Sequence, residues 1–532
     1  MARPTMGSDR LGRVHGFGMG TVVIDAPTPD VVMPLVARPG LDNVGIVMRD
    51  VADGAAVAVD GGVLNVPGLV PAGHKIALRA ISSGTPVRKY DEIIGFATAD
   101  IAPGEHVHLH NIGVLPDRAD VPIRPRSTPW APPAAPTRTH FFGYRRSDGR
   151  AATRNYIGVL PTVNCSATVA RLIAQAATSA HADVAGLDGV IALGHDLGCG
   201  LAEGTTGDDI LRRTLRGYAK HPNIAGILVV SLGCEVNQPE NIFGSDMDGI
   251  EHLMIQGLGG TVPTVNEGLR RVAEMVGEVG RLRREPIPVS ELVLGLQCGG
   301  SDAYSGLTAN PTLGVAADLF VAAGGRVILG ETPEIYGAQH LLKSRAASAQ
   351  VADRIDELLR WWQEYAHLHG AVLDDNPSAG NRAGGISTIW EKSLGAVLKA
   401  GTSPLNTVVG YAESVTGAGL TFMDTPGYDP VSATGMVAGG ANILAFTTGR
   451  GSLFGSRPVP CVKISTTSAL YHHMTGDIDF DAGPAMSQTD QIRYGTRLFE
   501  LLVDTASGQT SKSEALGFGA EEIAPWRMGA VL

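Results

Sequence analysis

Residues 156–165 read YIGVLPTVNC. A continuous apolar run of strand length that ends in turn residues is the mark of a strand buried on both faces, as in a parallel sheet. The run predicts a strand over Tyr156–Val163. The segment after it, Thr168–Thr178, has helical period and is long enough to carry the chain back across a sheet. The same alternation recurs downstream. Strands are predicted at Gly189–Leu193, Gly226–Ser231, Leu292–Gln297 and Arg326–Leu329, and helices at Asp209–Lys220, Gly268–Arg284 and Leu313–Ala323. A longer helix is predicted over Ala338–His369, with Trp361 and Trp362 as packing residues, and Asn376–Gly385 reads as a polar, glycine-rich loop. Strands at Thr407–Tyr411, Ile443–Thr447 and Val462–Ser465 and a helix at Thr489–Thr505 close the pattern. The fold class is α/β, with parallel sheets in a two-part region.

Upstream the texture differs. From Val31 to about Asn111 short alternating strands are broken by Gly, Pro and Asp, which predicts a small β domain. Residues 116–140, most plainly Val121 to His140, are rich in Pro, Arg, Ser and Ala without apolar periodicity and read as a Pro-rich linker. The expected organisation is a flexible tail over 1–30, a β domain over 31–115, the linker, and α/β portions over 141–287 and 288–532. A chain of 532 residues is well past the size at which one core stops growing.

Composition narrows the function classes. A hydrophobic fraction of 44% with 18% charged residues is that of a packed protein. Sixty-nine glycines suggest many tight functional turns. The net charge of −11, with no basic tract to offset it, argues against nucleic-acid binding. No apolar stretch is long enough to span a membrane, and the start, Met1 to Arg13, has no apolar signal core. A cytoplasmic protein is expected, and five cysteines in such a chain are expected to be reduced thiols.

Four of those cysteines occupy equivalent places, each just after a predicted strand and within a turn. They are Cys165 in TVNCSA, Cys199 in GHDLGCG, Cys234 in SLGCE and Cys298 in LQCGGSD. Ligands of open parallel sheets bind beyond the carboxyl ends of the strands, so three or four thiols are expected to face one crevice. Such a group suits a soft metal or an iron–sulfur cluster with one iron open to substrate. Cys199, Cys234 and Cys298 are the expected metal ligands. Cys461, in PVPCVK, begins a later strand and reads as core.

Polar residues crowd the same turns, among them His195, Asp196, Glu235, Ser301, Asp302, Ser305 and Asn310. Later loops add Asn376, Asn381 and Arg382, then Arg450 in TTGRG and Lys463, cations suited to an anionic substrate. In the β domain, His106, His108 and His110 alternate in HVHLH, so a strand there would place them on one face as a ladder. His74, in the loop PAGHK, is an acid or base candidate that the β domain would bring over the crevice.

These segments together resemble the altronate dehydratase and galactarate dehydratase family of sugar-acid hydro-lyases. The resemblance runs from about Asp42 to the C-terminus and includes DNV, PAGHK, GEHVHLHN, GYRRSDGRAATRN, LPTVNC, LGCE, QCGGSDAYSGLTANP, NPSAGNRAGG, TTGRG and FDAG. It implies that the β domain is an SAF-type β-clip followed by two α/β portions. It also implies a ferrous iron requirement and loss of water from an aldonate or aldarate to give a 2-keto-3-deoxy acid. HVHLHN is similar to the altronate branch. On this reading iron, as Fe2+ or in a cluster, sits at the three cysteines, and His74 or His195 acts as acid and base. Arg450 and Lys463 hold the carboxylate, while Ser301, Asp302 and Asn310 bind hydroxyls. The expected partner is a small-molecule sugar acid, with no nucleic acid or membrane, and the expected assembly is a homo-oligomer. Two rival functions remain: a related lyase that expels another group, such as sulfite from sulfolactate, and a catalytically silent sugar-acid-binding protein.

Overall fold

A computed structural model describes residues 34–35, 38–59, 62–114, 129–245, 247 and 249–529. The expected tail over residues 1–30 and much of the expected linker lie outside the described residues. Residues 129–139 contain neither helix nor strand, and Trp130 donates a hydrogen bond to the Thr402 hydroxyl at 3.1 Å.

The apolar runs form two separate parallel sheets. One has four strands in the order Gly189–Ala192, Tyr156–Pro161, Ile224–Ser231 and Ile250–Met254. The other has seven, in the order Leu405–Val409, Gly419–Met423, Arg326–Leu329, Val293–Cys298, Ile443–Thr448, Cys461–Ser465 and Phe480–Asp481. The central strands Tyr156–Pro161, Val293–Cys298 and Ile443–Thr448 are buried at every position, as their unbroken apolar sequence requires. Helices Asn164–Ala180, Thr206–Ala219, Thr261–Val279 and Ala309–Ala322 supply the crossovers. Antiparallel pairing of His140–Arg145 with Glu285–Pro288 ties the entrance of the first α/β portion to its exit.

The N-terminal part is all β. Strands Pro34–Leu35, Val44–Val47, Lys75–Ala77 and His106–Val107 form one antiparallel sheet, and Pro86–Lys89, Glu92–Ala97 and Ile112–Gly113 form another.

Three expectations need correction. The long helix over Ala338–His369 is two helices, Gln339–Lys343 and Ala349–Leu368. Between them Ala347 N–H and the Arg345 carbonyl bond to the backbone of Leu405, and Ser348 caps the second helix by accepting from Val351 N–H. Strands Ile250–Met254 and Gly419–Met423 were not expected. The first is a short edge strand whose apolar pattern is broken by Glu251 and His252 side by side, and the second follows a stretch containing Ser414, Gly417 and Ala418. Trp362 does pack: its ring stacks on Trp526 at 5.2 Å, and its N–H bonds to Asp424 at 2.8 Å.

Candidate active site

The histidines of the N-terminal part gather where it meets the seven-stranded α/β portion. Antiparallel pairing sets Lys75 opposite Val107 and Ile76 opposite His106, which brings His74 beside His106. The strand then ends: Asn111 accepts the His108 N–H at 2.9 Å and returns its own N–H to the His108 carbonyl. HVHLH is therefore a short strand and a turn rather than a ladder. Donor atoms of His74, His106 and His108 lie within 4.8 Å of one another, and His110 stands only at the margin, its ring 5.4 Å from that of His106.

Burial lowers the pKa of all three clustered histidines. Burial and His74 hold His106 at about 4, and burial and Lys75 hold His108 at about 3. They are neutral at physiological pH and keep lone pairs for a cation. The His74 Nε2–H points at the Ala383 carbonyl, 3.3 Å away, which turns Nδ1 toward His106 at 2.9 Å. His108 Nδ1 lies 3.2 Å from the Ser387 hydroxyl. A ring oriented by its second nitrogen is the usual arrangement of a metal-binding imidazole.

The loop that receives these histidines, residues 383–387, also forms, through Ile386, the wall of a small polar cavity of about 10 Å3, room for a single water. A side chain at Gly385, where φ is +94°, would collide with the Gly73 carbonyl, so close docking of the two loops requires glycine. The cavity is lined by Lys89 and Tyr90 from the N-terminal part, by Ser301, Asp302, Ser305 and Asn310, and by Glu391 and Lys392. Asp302 accepts from the Ser305 N–H and hydroxyl and from the Thr466 hydroxyl, yet burial raises its pKa to about 6. Asn310 is held between the Gly395 carbonyl and the Thr447 hydroxyl. Arg450 is exposed beside this loop, its backbone N–H bonded to the Gly300 carbonyl at 2.8 Å.

The other expected residues are placed elsewhere. His195 is buried with both ring nitrogens engaged, one on the Pro161 carbonyl at 2.9 Å and the other accepting from Leu197 N–H at 3.2 Å. Burial lowers its pKa, so it is a neutral structural group with no nitrogen left for proton transfer. Lys463 is fully buried, and its amine donates to the Phe454 carbonyl at 2.9 Å, away from the cavity. Cys199, Cys234 and Cys298 are not gathered. The crevice reading assumed one sheet, whereas Cys199 and Cys234 follow strands of the four-stranded sheet and Cys298 ends a strand of the seven-stranded one. Cys461 is buried at the start of its strand.

Cys298 belongs to a buried charged cluster with no local sequence signal. Lys399 donates to its sulfur at 2.8 Å and to Glu331 at 3.0 Å, and Lys392 donates to Glu334 at 2.8 Å. Burial pushes the thiol up to about 12 and Glu331 up to about 8, against the pull of Lys399. The ammonium of Lys399 already fills the position a cation would take among Cys298, Glu331 and Glu334.

Comparison with known proteins agrees with this division of the chain. The altronate/galactarate dehydratase SAF domain matches residues 35–114. The second domain of D-galactarate dehydratase/altronate hydrolase matches 143–280, and the C-terminal domain of D-galactarate/altronate dehydratase matches 289–531. The chain belongs to the altronate/galactarate dehydratase family. It is 37% identical to altronate dehydratase of Bacillus subtilis, over 92% of this chain and 98% of the relative. It is 34% identical to altronate dehydratase of Escherichia coli over the same shares. Galactarate dehydratase (L-threo-forming) of Escherichia coli is 33% identical over 88% of this chain and 92% of the relative. The chain is thus a carbon–oxygen lyase of the sugar-acid class with an N-terminal SAF domain.

Proposed function

We propose that the protein removes water from an aldonate or aldarate of altronate type, giving a 2-keto-3-deoxy acid, at the polar pocket between the SAF domain and the C-terminal region, whose walls part to admit the substrate because its present volume is only about 10 Å3. One observation carries this placement: Lys89 and Tyr90 of the SAF domain line the same cavity as Ser301, Asp302 and Asn310, beside three neutral histidines. Free cysteines at all five positions suit a reducing cytoplasm.

The reaction needs a proton taken from C2 and hydroxide expelled from C3. The Asp302 carboxylate, with a pKa near 6, is ionised at neutral pH yet basic enough to take the C2 proton. Ser301 and Asn310 hold substrate hydroxyls, and Arg450 at the rim meets the carboxylate. His74, His106 and His108 fit a ferrous ion, being neutral, clustered and oriented from behind by Ala383 and Ser387. Such an ion would supply Lewis acidity toward the substrate's oxygens.

The test is formation of a semicarbazide-reactive 2-keto acid from a panel of aldonates, aldarates and sulfolactate, with ferrous iron and without air. Turnover of a sugar acid that is lost in Asp302→Asn supports the reading. Turnover of sulfolactate alone, or of nothing, overturns it.

A further inference from the structure

We infer that Cys165, Cys199 and Cys234 hold an iron–sulfur cluster of the [4Fe–4S] class, with three thiolate ligands and one iron left open. The four-stranded sheet places Tyr156–Pro161 between Gly189–Ala192 and Ile224–Ser231, all parallel. Cys199 and Cys234 lie in the turns that follow two of these strands and Cys165 in the first turn of the helix that follows the third, at the carboxyl end where ligands of such sheets bind. Neighbouring strands are about 4.8 Å apart, so the turns span little more than one small cluster.

The turns are also tied to one another. Thr162 donates its hydroxyl to Glu235 at 2.5 Å, and its carbonyl accepts from the Asn237 side chain at 3.0 Å, which joins the Cys165 and Cys234 turns. Asn164 N–H bonds to the Leu197 carbonyl at 3.0 Å, and a side chain at Gly198 would collide with the Thr162 carbonyl, which joins the Cys165 and Cys199 turns. Three loops so fixed are a rigid frame, as a cluster site requires.

The thiols themselves differ from those of a core. Cys165, Cys199 and Cys234 are exposed, whereas Cys298 and Cys461 are buried. Cys165 is in the first turn of helix Asn164–Ala180, which has no acidic residue there, so the positive end of the helix dipole faces its sulfur. The Gln256 amide donates to the Cys234 sulfur at 3.3 Å, a contact of the kind that tunes cluster thiolates. Among the described residues the groups whose donors lie within 4.8 Å of one another do not include these cysteines, which are spaced too widely for a single ion. A cleft of about 930 Å3 begins at the same turns, at Asn164, Gly194 and His195, and carries Arg171, Arg457 and Arg527.

The full chain, reconstituted without air with ferric iron, excess thiol as reductant and sulfide, is expected to bind about four acid-labile sulfide per chain and about four iron beyond the one at the histidines, and to absorb broadly in the visible. Cys165→Ser, Cys199→Ser and Cys234→Ser should each lose most of that sulfide and absorbance, while Cys298→Ser and His106→Ala keep them. In the wild-type chain, iodoacetamide should label the three thiols before reconstitution and spare them after it, which tests the site without any variant. Absence of bound sulfide in the wild type, or its retention when all three cysteines are serine, would overturn the inference. Because these readouts need no turnover, failure here is separable from failure of the histidine site.

Discussion

The amine of Lys75 lies 2.9 Å from a carboxylate oxygen of Glu391, with both side chains buried. Lys89 binds the other oxygen at 2.8 Å. Burial alone would raise the pKa of Glu391, but the two ammoniums hold it down to about 2. This triad fastens the SAF domain to helix Ile389–Val397 and so fixes both the histidine cluster and the cavity wall. Glu391→Ala would strand two buried cations, a loss of about 3–5 kcal/mol. Urea denaturation should show a lower midpoint, and an unchanged midpoint would mean that apolar packing holds the interface instead.

Asp302 sets the acid side of the pH profile. Its folded pKa of about 6 lies above the ordinary 3.8. As pH falls below 6 the base is protonated, and kcat/KM should drop about tenfold per pH unit. Stability should move the other way: between about pH 4 and 6 the folded state binds the extra proton, so this group adds stability as pH falls through that window. Asp302→Asn should remove both effects, and a wild-type profile flat to pH 5 would take Asp302 out of the chemistry.

The histidine cluster has the opposite sign. His106 and His108 titrate near 4 and 3 in the folded chain, below the ordinary 6.5. Unfolded chains bind these protons first, so stability contributed by the neutral rings is present above 6.5 and declines as pH falls toward 4. Ferrous iron should still bind at pH 5.5 nearly as well as at pH 7, because the rings keep their lone pairs. Calorimetric titration with the metal checks this, and tenfold weaker binding at pH 5.5 would show rings with ordinary pKa values.

Two cations that look alike in sequence should behave differently. Arg450 is exposed beside the Gly300 loop, whereas Lys463 is enclosed and bonded to the Phe454 carbonyl. Arg450→Ala should raise KM by roughly tenfold to a hundredfold, the worth of one charge-assisted contact at about 1.5–3 kcal/mol. Lys463→Met should lower thermal stability and leave the KM of the folded fraction near wild type. A reversed pattern would place Lys463 at the substrate.

The alternation of apolar runs and helical segments made the parallel sheets legible, because strands buried on both faces must be apolar throughout. The division at residues 287 and 288 already put Tyr156–Pro161 and Val293–Cys298 in different α/β portions, but the reading of the thiols did not use it, since which turns share a crevice depends on tertiary packing. For that reason the four cysteine turns looked like one crevice. Ser301, Asp302 and Asn310 were legible as polar residues on a glycine-rich turn. Lys89 and Glu391 were not, because they act through each other some 302 residues apart, and Tyr90 and Lys392 were not, because only the docking of the SAF domain brings them to one cavity. His195 looked catalytic by type and position, and only its two backbone contacts show that it is structural.

Tyr90 is the least expected member of the cavity and the most testable. It and Asp91 both adopt left-handed backbone, with φ of 63° and 64°, where a non-glycine residue costs about 1–3 kcal/mol. Asp42 holds this turn by accepting the N–H of Tyr90 at 3.0 Å and of Asp91 at 2.7 Å. The strained turn presents the phenol to the cavity, where Tyr90 is 9% exposed and its buried hydroxyl oxygen faces the Lys89 ammonium. Burial pushes the phenol up to about 12, with Lys89 opposing, so it carries its proton at neutral pH. Lys89 can only donate to the phenol oxygen, so the O–H stays available, and a protonated donor beside a base fits the acid that accompanies departure of the C3 hydroxyl. Tyr90→Phe should lower kcat by about a hundredfold with little change in KM. It should lower stability by no more than about 1 kcal/mol, because only the contact with Lys89 is lost and Lys89 keeps Glu391 as its partner. A substrate bearing fluoride at C3 needs no proton to release its leaving group, so the variant should process it at nearly the wild-type rate. Equal losses on both substrates would make Tyr90 a positioning residue, and undiminished turnover of the hydroxy acid would remove it from the mechanism.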